Sequence, residues 1–170
     1  RARIGGTACG WTTWSSDSSM ECRASHGVGA SKSLMVTVAL SVGGRPNGFI
    51  SYDAPSLSGV SNQTGANQRG GGGNVPAVGG ASITIEGSGF GPYDASIKAR
   101  AGGTACEVTA WGSDAHMVCK AASGISSTHR LVVTSGVLVG TVSEAVSYDV
   151  PSAREVMKES SHLIWRSSLV

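Results

Sequence analysis

The feature that most constrains this chain is that it repeats itself. Gly5-Gly6-Thr7-Ala8-Cys9 returns as Gly102-Gly103-Thr104-Ala105-Cys106, 97 residues later. The same offset carries Thr12, Trp14, Asp17, Met20, Cys22 and Ala24 onto Thr109, Trp111, Asp114, Met117, Cys119 and Ala121. It continues from Gly27, Leu34, Val36, Thr37, Val42 and Gly43 to Gly124, Leu131, Val133, Thr134, Val139 and Gly140. After one dropped residue, Ser51-Tyr52-Asp53-Ala54-Pro55 answers Ser147-Tyr148-Asp149-Val150-Pro151. Composition alone does not bring Cys, Trp and Met into register over such a length. Two units of one structural design are therefore expected.

Composition says what kind of unit. Charged residues make up 14% of the 170, against roughly 25% in ordinary soluble domains. A net charge of +2 with no Lys/Arg cluster gives no footing for nucleic acid. Glycine is abundant, whereas the helix builders Leu, Glu and Lys are scarce, so short strands joined by turns are expected. No apolar run approaches the roughly 18 residues of a membrane span, and no membrane insertion is expected within this segment. In the second unit, Ser82-Ile83-Thr84-Ile85-Glu86 alternates apolar and polar, as a half-buried strand does. Gly87-Ser88-Gly89-Phe90-Gly91 breaks it. Further strands are expected over 96–100, 106–110, 116–120, 131–134 and 145–148, giving six or seven strands of an antiparallel sandwich.

Each unit carries two cysteines, Cys9 with Cys22 and Cys106 with Cys119. Each pair flanks a turn rich in Ser, Gly and Asp, which suggests neighbouring strands. The expected pairing is within each unit, where closing a loop of about 14 residues stabilises by roughly 3 kcal/mol. Free or metal-bound thiols are the alternative. A pair thirteen residues apart lacks the close second ligand of a zinc knuckle, and His26, His116, His129 and His162 do not recur at matching positions. No metal and no cofactor is expected. Disulfides imply a secreted or cell-surface location.

Together these residues resemble the IPT/TIG domain, an immunoglobulin-like fold shared by plexins and transcription factors. The elements are Gly79-Gly80, Ile83-Thr84-Ile85, Gly87-Ser88-Gly89-Phe90-Gly91, Gly102-Gly103-Thr104-Ala105-Cys106, Met117-Val118-Cys119 and Tyr148-Asp149-Val150-Pro151. The resemblance covers nearly all of residues 76–151 and the later part of a domain in residues 3–55. It implies an all-β chain of tandem immunoglobulin-like sandwiches. The cysteine pairs are similar to the cell-surface branch, and the basic DNA-binding loops of the transcription-factor branch are missing.

Chemistry-bearing motifs are few. The Gly87–Gly91 run is expected to be a strand-ending turn, not a phosphate cradle, because no Gly-x-x-Gly spacing leads into a helix. No Gly-x-Ser-x-Gly elbow occurs, the histidines have no repeated Ser or Asp partner, and no enzyme is expected. Asp53 and Asp149 recur, and are expected to hydrogen-bond local backbone at the linker, with calcium at a domain junction the alternative. Trp14 and Trp111 are expected to pack on the core or cover the disulfide, a sugar-stacking platform being the alternative. Asn62-Gln63-Thr64 is an N-glycosylation sequon in a Gly/Asn-rich connector over 61–78, and an N-linked glycan on Asn62 is expected.

The expected domains are 1–55, an incomplete IPT/TIG domain lacking its first strands, and 56–151, a complete one with a long N-terminal connector. Residues 152–170 are expected to be the opening strands of a further domain, or a tail that completes the first domain of a neighbouring molecule. In them, Leu163, Ile164 and Trp165 are the candidate assembly strand, with Leu163 and Trp165 facing the neighbour's core. Two functions are carried forward. One is a structural repeat of an extracellular fibre or stalk, whose partners are head-to-tail copies or adjacent repeats. The other is a ligand-binding or adhesion segment of a large receptor ectodomain.

Overall fold

The computed structural model describes residues 1–62, 73–159 and 162–168, and only the backbone of residues 46, 47, 49 and 153 onward. Every regular element among the described residues is a strand. The first unit holds β1 (Ala2–Ile4), β2 (Thr7–Ala8), β3 (Trp11–Ser16), β4 (Ser19–Arg23), β5 (Lys32–Val38) and β6 (Ser41–Ile50). They form a sheet in the order β2-β1-β5-β6 and a separate hairpin, β3-β4.

The second unit holds β7 (Ser56–Asn62), β8 (Gly73–Val75), β9 (Ser82–Ser88), β10 (Lys98–Ala101) and β11 (Thr104–Ala105). It continues with β12 (Val108–Ser113), β13 (His116–Lys120), β14 (His129–Ser135) and β15 (Leu138–Tyr148). One sheet runs β11-β10-β14-β15-β8 and the other β12-β13-β9-β7. Together they make an immunoglobulin-like β-sandwich. The alternation in β9 works as expected: Ile83 and Ile85 are fully buried, while Ser82, Thr84 and Glu86 are not. They join Met117 and Cys119 of β13, Leu131 and Val133 of β14, Val146 of β15 and Val75 of β8 in one core cluster. Each fully buried Ile, Leu or Val contributes about 1.5–3 kcal/mol.

The two units share their pairings residue for residue. In the first, Ala2 pairs with Val36 and Ile4 with Leu34; in the second, Ala99 pairs with Val133 and Ala101 with Leu131. The β3-β4 hairpin has its irregularity at Trp14/Ser16, and the β12-β13 hairpin at Trp111/Ser113. The Cys9 N–H donates to Ala2 O at 3.0 Å, and that of Cys106 to Ala99 O at 3.0 Å. Tyr52 Oη donates to Ser25 O at 2.8 Å, and Tyr148 Oη to Ala122 O at 3.0 Å.

Several elements depart from the sequence expectation. The strand expected over 106–110 is Val108–Ser113, because Cys106 still belongs to the crossover after β11. The one expected from Ser96 starts at Lys98, since Ser96 has φ 59° in a turn where its N–H donates to Asp94 Oδ1. The connector expected over 61–78 is strand at both ends, with Ser61 and Asn62 in β7 and Gly73–Val75 forming β8, parallel to β15.

Beyond the second unit, β16 (Ser152–Glu159) and β17 (His162–Ser168) pair with one another and join no other sheet among the described residues. Their register reproduces that of β7 and β9. Ser56↔Ser88, Val60↔Ile85 and Asn62↔Ile83 are answered by Ser152↔Ser168, Val156↔Trp165 and Lys158↔Leu163. The irregularity recurs too, at Leu57/Gly59 and at Ala153/Glu155.

Candidate functional site

One feature stands out: the joint between the units. The joint follows from a short linker. Three residues, Asp53, Ala54 and the buried Pro55, separate the Tyr52 bracket from β7. The Gly89–Gly91 turn of the second unit lies against it. Gly89 and Gly91 have φ of 75° and 104°, the left-handed region that glycine enters without strain. Asp114 holds this turn, accepting the Gly91 N–H on Oδ1 at 2.9 Å and the Phe90 N–H on its carbonyl at 3.1 Å. A Cβ at position 91 would come within 2.6 Å of Val28 Cγ1. The Gly136 turn meets Gly29. Gly87 and Ser88 still belong to β9, so the turn expected over Gly87–Gly91 is confined to Gly89–Gly91, where it also seats the end loop of the preceding unit. That second role was not visible in the sequence, because it depends on how the linker folds.

In the second unit β13 lies between β12 and β9, whereas β4 has β3 alone as neighbour among the described residues. No counterpart of β7, β8 or β9 is present in the first unit among the described residues. Its buried apolar residues there are Ala2 and Ile4.

Cys9–Cys22 and Cys106–Cys119 are disulfides, with Cα–Cα distances of 5.8 and 5.6 Å. They do not staple neighbouring strands, as the intervening turn had suggested. Cys106 follows β11 of one sheet and Cys119 lies in β13 of the other, so the bridge ties the two layers together. The chain has already crossed between sheets before β12 begins.

Asp149 does not bond local backbone through its side chain. It accepts from Asn74 Nδ2, and Asn74 Oδ1 accepts from Ser147 Oγ at 3.0 Å, clasping β8 to the end of β15. No group of three His, Cys, Asp or Glu suited to a metal occurs among the described residues. Trp111 packs against the core, while Trp14 at the matching position is 66% exposed. Ser113 Oγ and His116 Nδ1 are 2.8 Å apart in an exposed turn, where the first unit has Ser16 and Ser19. Asn62 ends β7, half-buried, with Nδ2 donating to Asn74 O at 3.1 Å. Thr64 of the sequon lies outside the described residues. Leu163, Ile164 and Trp165 fall on β17, and their side chains lie outside the described part.

The family model of the IPT/TIG domain matches residues 74–150. This part of the chain is an IPT/TIG domain. The matched span opens at β8 and closes just after β15, so β7 adds to the IPT/TIG domain an edge strand from outside it. IPT/TIG domains are a non-catalytic immunoglobulin-like family. An IPT/TIG domain with an inter-sheet disulfide fits an extracellular or cell-surface protein. No curated protein matches the chain.

Proposed function

We propose that the chain is a structural segment of an extracellular fibre or cell-surface stalk, made of IPT/TIG-type units joined end to end and carrying an N-linked glycan on Asn62. The observation behind this reading is at the joint. Val28 packs on the Gly89–Gly91 turn of the following unit. At the matching place in the second unit stands Ile125, 82% exposed. An exposed Ile at the end loop of one unit, where its counterpart is covered by the next, is what a serial contact used again would need. The three-residue linker and the apolar seat favour a stiff succession of units over a flexible string. Its partners are then adjacent repeats or copies of the same chain.

Electron microscopy of the native material tests the reading. Rods or fibres with a regular axial repeat are expected. A compact single particle that saturates with one soluble ligand would overturn it in favour of a receptor or adhesion segment.

A further inference from the structure

We propose that Trp11 is a site of C-linked hexosylation, at which a hexose from an isoprenyl-phosphate donor is joined to C2 of the indole. This rests on the reading of the chain as an extracellular protein, because such donors serve the secretory pathway.

Three observations lead there. The first is spacing. Trp11-Thr12-Thr13-Trp14 sets two tryptophans three residues apart. In secreted proteins, a tryptophan followed by another at that distance is the acceptor pattern for a hexose on the first indole. The two tryptophans stand differently in the fold. Trp14 answers Trp111, which packs against the core of the second unit. Trp11 answers Val108, so the second unit lacks the pattern. Packing accounts for a Trp at the shared position. It does not call for one at position 11, where a Val serves the second unit.

The second is the face. Side chains alternate sides along a strand. Trp11 and Thr13 of β3 stand opposite Arg23 and Glu21 of β4, and all four are exposed. Thr12 and Cys22, one step along, are half-buried on the other side. Trp11 therefore lies on the outer face of its layer, whose exposure does not depend on what lies across the core. The second unit shows this, since both of its sheets are present and Val108 is still 54% exposed, against 46% for Trp11. A hexose on Trp11 projects into water and displaces no packed group. Trp11 and Trp14 lie an odd number of residues apart, on opposite sides of a formed strand. The pattern is thus read on the extended chain, before the hairpin pairs.

The third is what the sugar meets. In the second unit Lys120 stands opposite Val108, and its Nζ lies 2.8 Å from Glu107 Oε2. The first unit has Arg23 in place of Lys120 but Gly10 in place of Glu107. Arg23 makes no ion pair among the described residues. Directly opposite Cβ atoms lie about 4.5–5.5 Å apart, so hydroxyls carried on the indole come within reach of the guanidinium donors. The sugar gives Arg23 the acceptors that Glu107 gives Lys120.

The reaction is a substitution with no change of oxidation state beyond the exchange itself. The indole C2 carbon attacks C1 of the hexose, and a carbon–carbon bond forms. The bond from C1 to the phosphate oxygen breaks, and the isoprenyl phosphate leaves with the electron pair. The hydrogen on C2 departs as a proton, which restores the aromatic ring. Trp11 gains one hexose less one water.

Tandem mass spectrometry of the peptide spanning Trp11, from native material, tests this. The peptide should carry one hexose. On fragmentation it should break across the sugar ring, as a carbon-linked hexose does, instead of shedding the whole sugar as an oxygen-linked one on Thr12 or Thr13 would. Two variants, secreted from cells that C-hexosylate a co-expressed reference protein, test the spacing. Trp14→Ala should abolish the hexose on Trp11, with the Cys9–Cys22 bridge kept by peptide mapping. Val108→Trp should gain a hexose at that position in the second unit. An unmodified Trp11, a hexose on either threonine alone, or a hexose that survives Trp14→Ala would overturn the proposal. Native protein with both disulfides formed and Trp11 bare would refute the modification and leave the extracellular reading standing. Reduced cysteines together with a bare Trp11 would overturn both.

Discussion

Met117, Cys119, Leu131 and Val133 are fully buried in the second unit, whereas Met20, Cys22, Leu34 and Val36, at the same register positions in the first, are only half-buried. The residue types and strand pairings agree, so neither accounts for the difference. What differs is the layer across from them. In the second unit β9 brings Ile83 and Ile85 over the sheet, and β7 closes the side. In the first unit nothing among the described residues stands in their place. Burial is a property of the pair of surfaces, so a sheet with no facing layer among the described residues keeps its strands while its inner side chains stay half-buried.

The largest contrast should appear on truncating the matched leucines. Leu131→Ala removes a side chain from a closed core and should cost the second unit about 2–5 kcal/mol. Leu34→Ala in the isolated chain should cost roughly 1 kcal/mol, because much of that side chain already meets water. Denaturant titration followed by hydrogen exchange, which resolves the two units, measures both. Equal costs would mean that the first unit closes its core without further strands.

Removing the disulfides sharpens the same contrast. Both close loops of equal length, with a sequence separation of 13, so each should lose about 3 kcal/mol in the chain-entropy picture. The second unit, with its full core, should stay folded when Cys106 and Cys119 are replaced by Ala. The first should lose its exchange protection when Cys9 and Cys22 are replaced. Survival of the first unit would show it to be more stable than its half-buried core implies.

A smaller effect separates the matched aspartates. Asp114→Ala removes the acceptor for the Gly91 N–H and should destabilise the second unit by about 1–2 kcal/mol. Asp17 is exposed and has no such turn to hold among the described residues, so Asp17→Ala should be nearly silent. Thermal melts of the two variants decide this.

The smallest effect is at high pH. Burial holds the Tyr148 hydroxyl above its ordinary value of 10.0. As pH rises past that value the unfolded chain ionises first. The stability that Tyr148 contributes is thus full below about pH 10 and falls as pH climbs through the raised folded value. Tyr148→Phe should flatten that part of the pH–stability curve, read by denaturant midpoints across the alkaline range, while losing the bond to Ala122.

Much of this was legible in the residues alone. The offset of 97 aligned Cys with Cys and, after one dropped residue, Tyr with Tyr, and the period-two alternation of Ile83 and Ile85 set which side of β9 is buried. The likeness of the tail to opening strands was also readable, since Pro151 and the residues after it follow Pro55 and its successors. Such features are local or periodic, and an antiparallel strand displays its register in its own sequence. Tertiary structure decided the rest: that each disulfide joins two layers, that Asp149 reaches Asn74 across 75 residues, that Val28 rests on the Gly91 turn, and that Leu34 is left half-open. Each of these depends on which surface another part of the chain brings alongside. A side chain's sequence neighbourhood does not encode that partner, because the contact forms only when distant segments are folded into the same place.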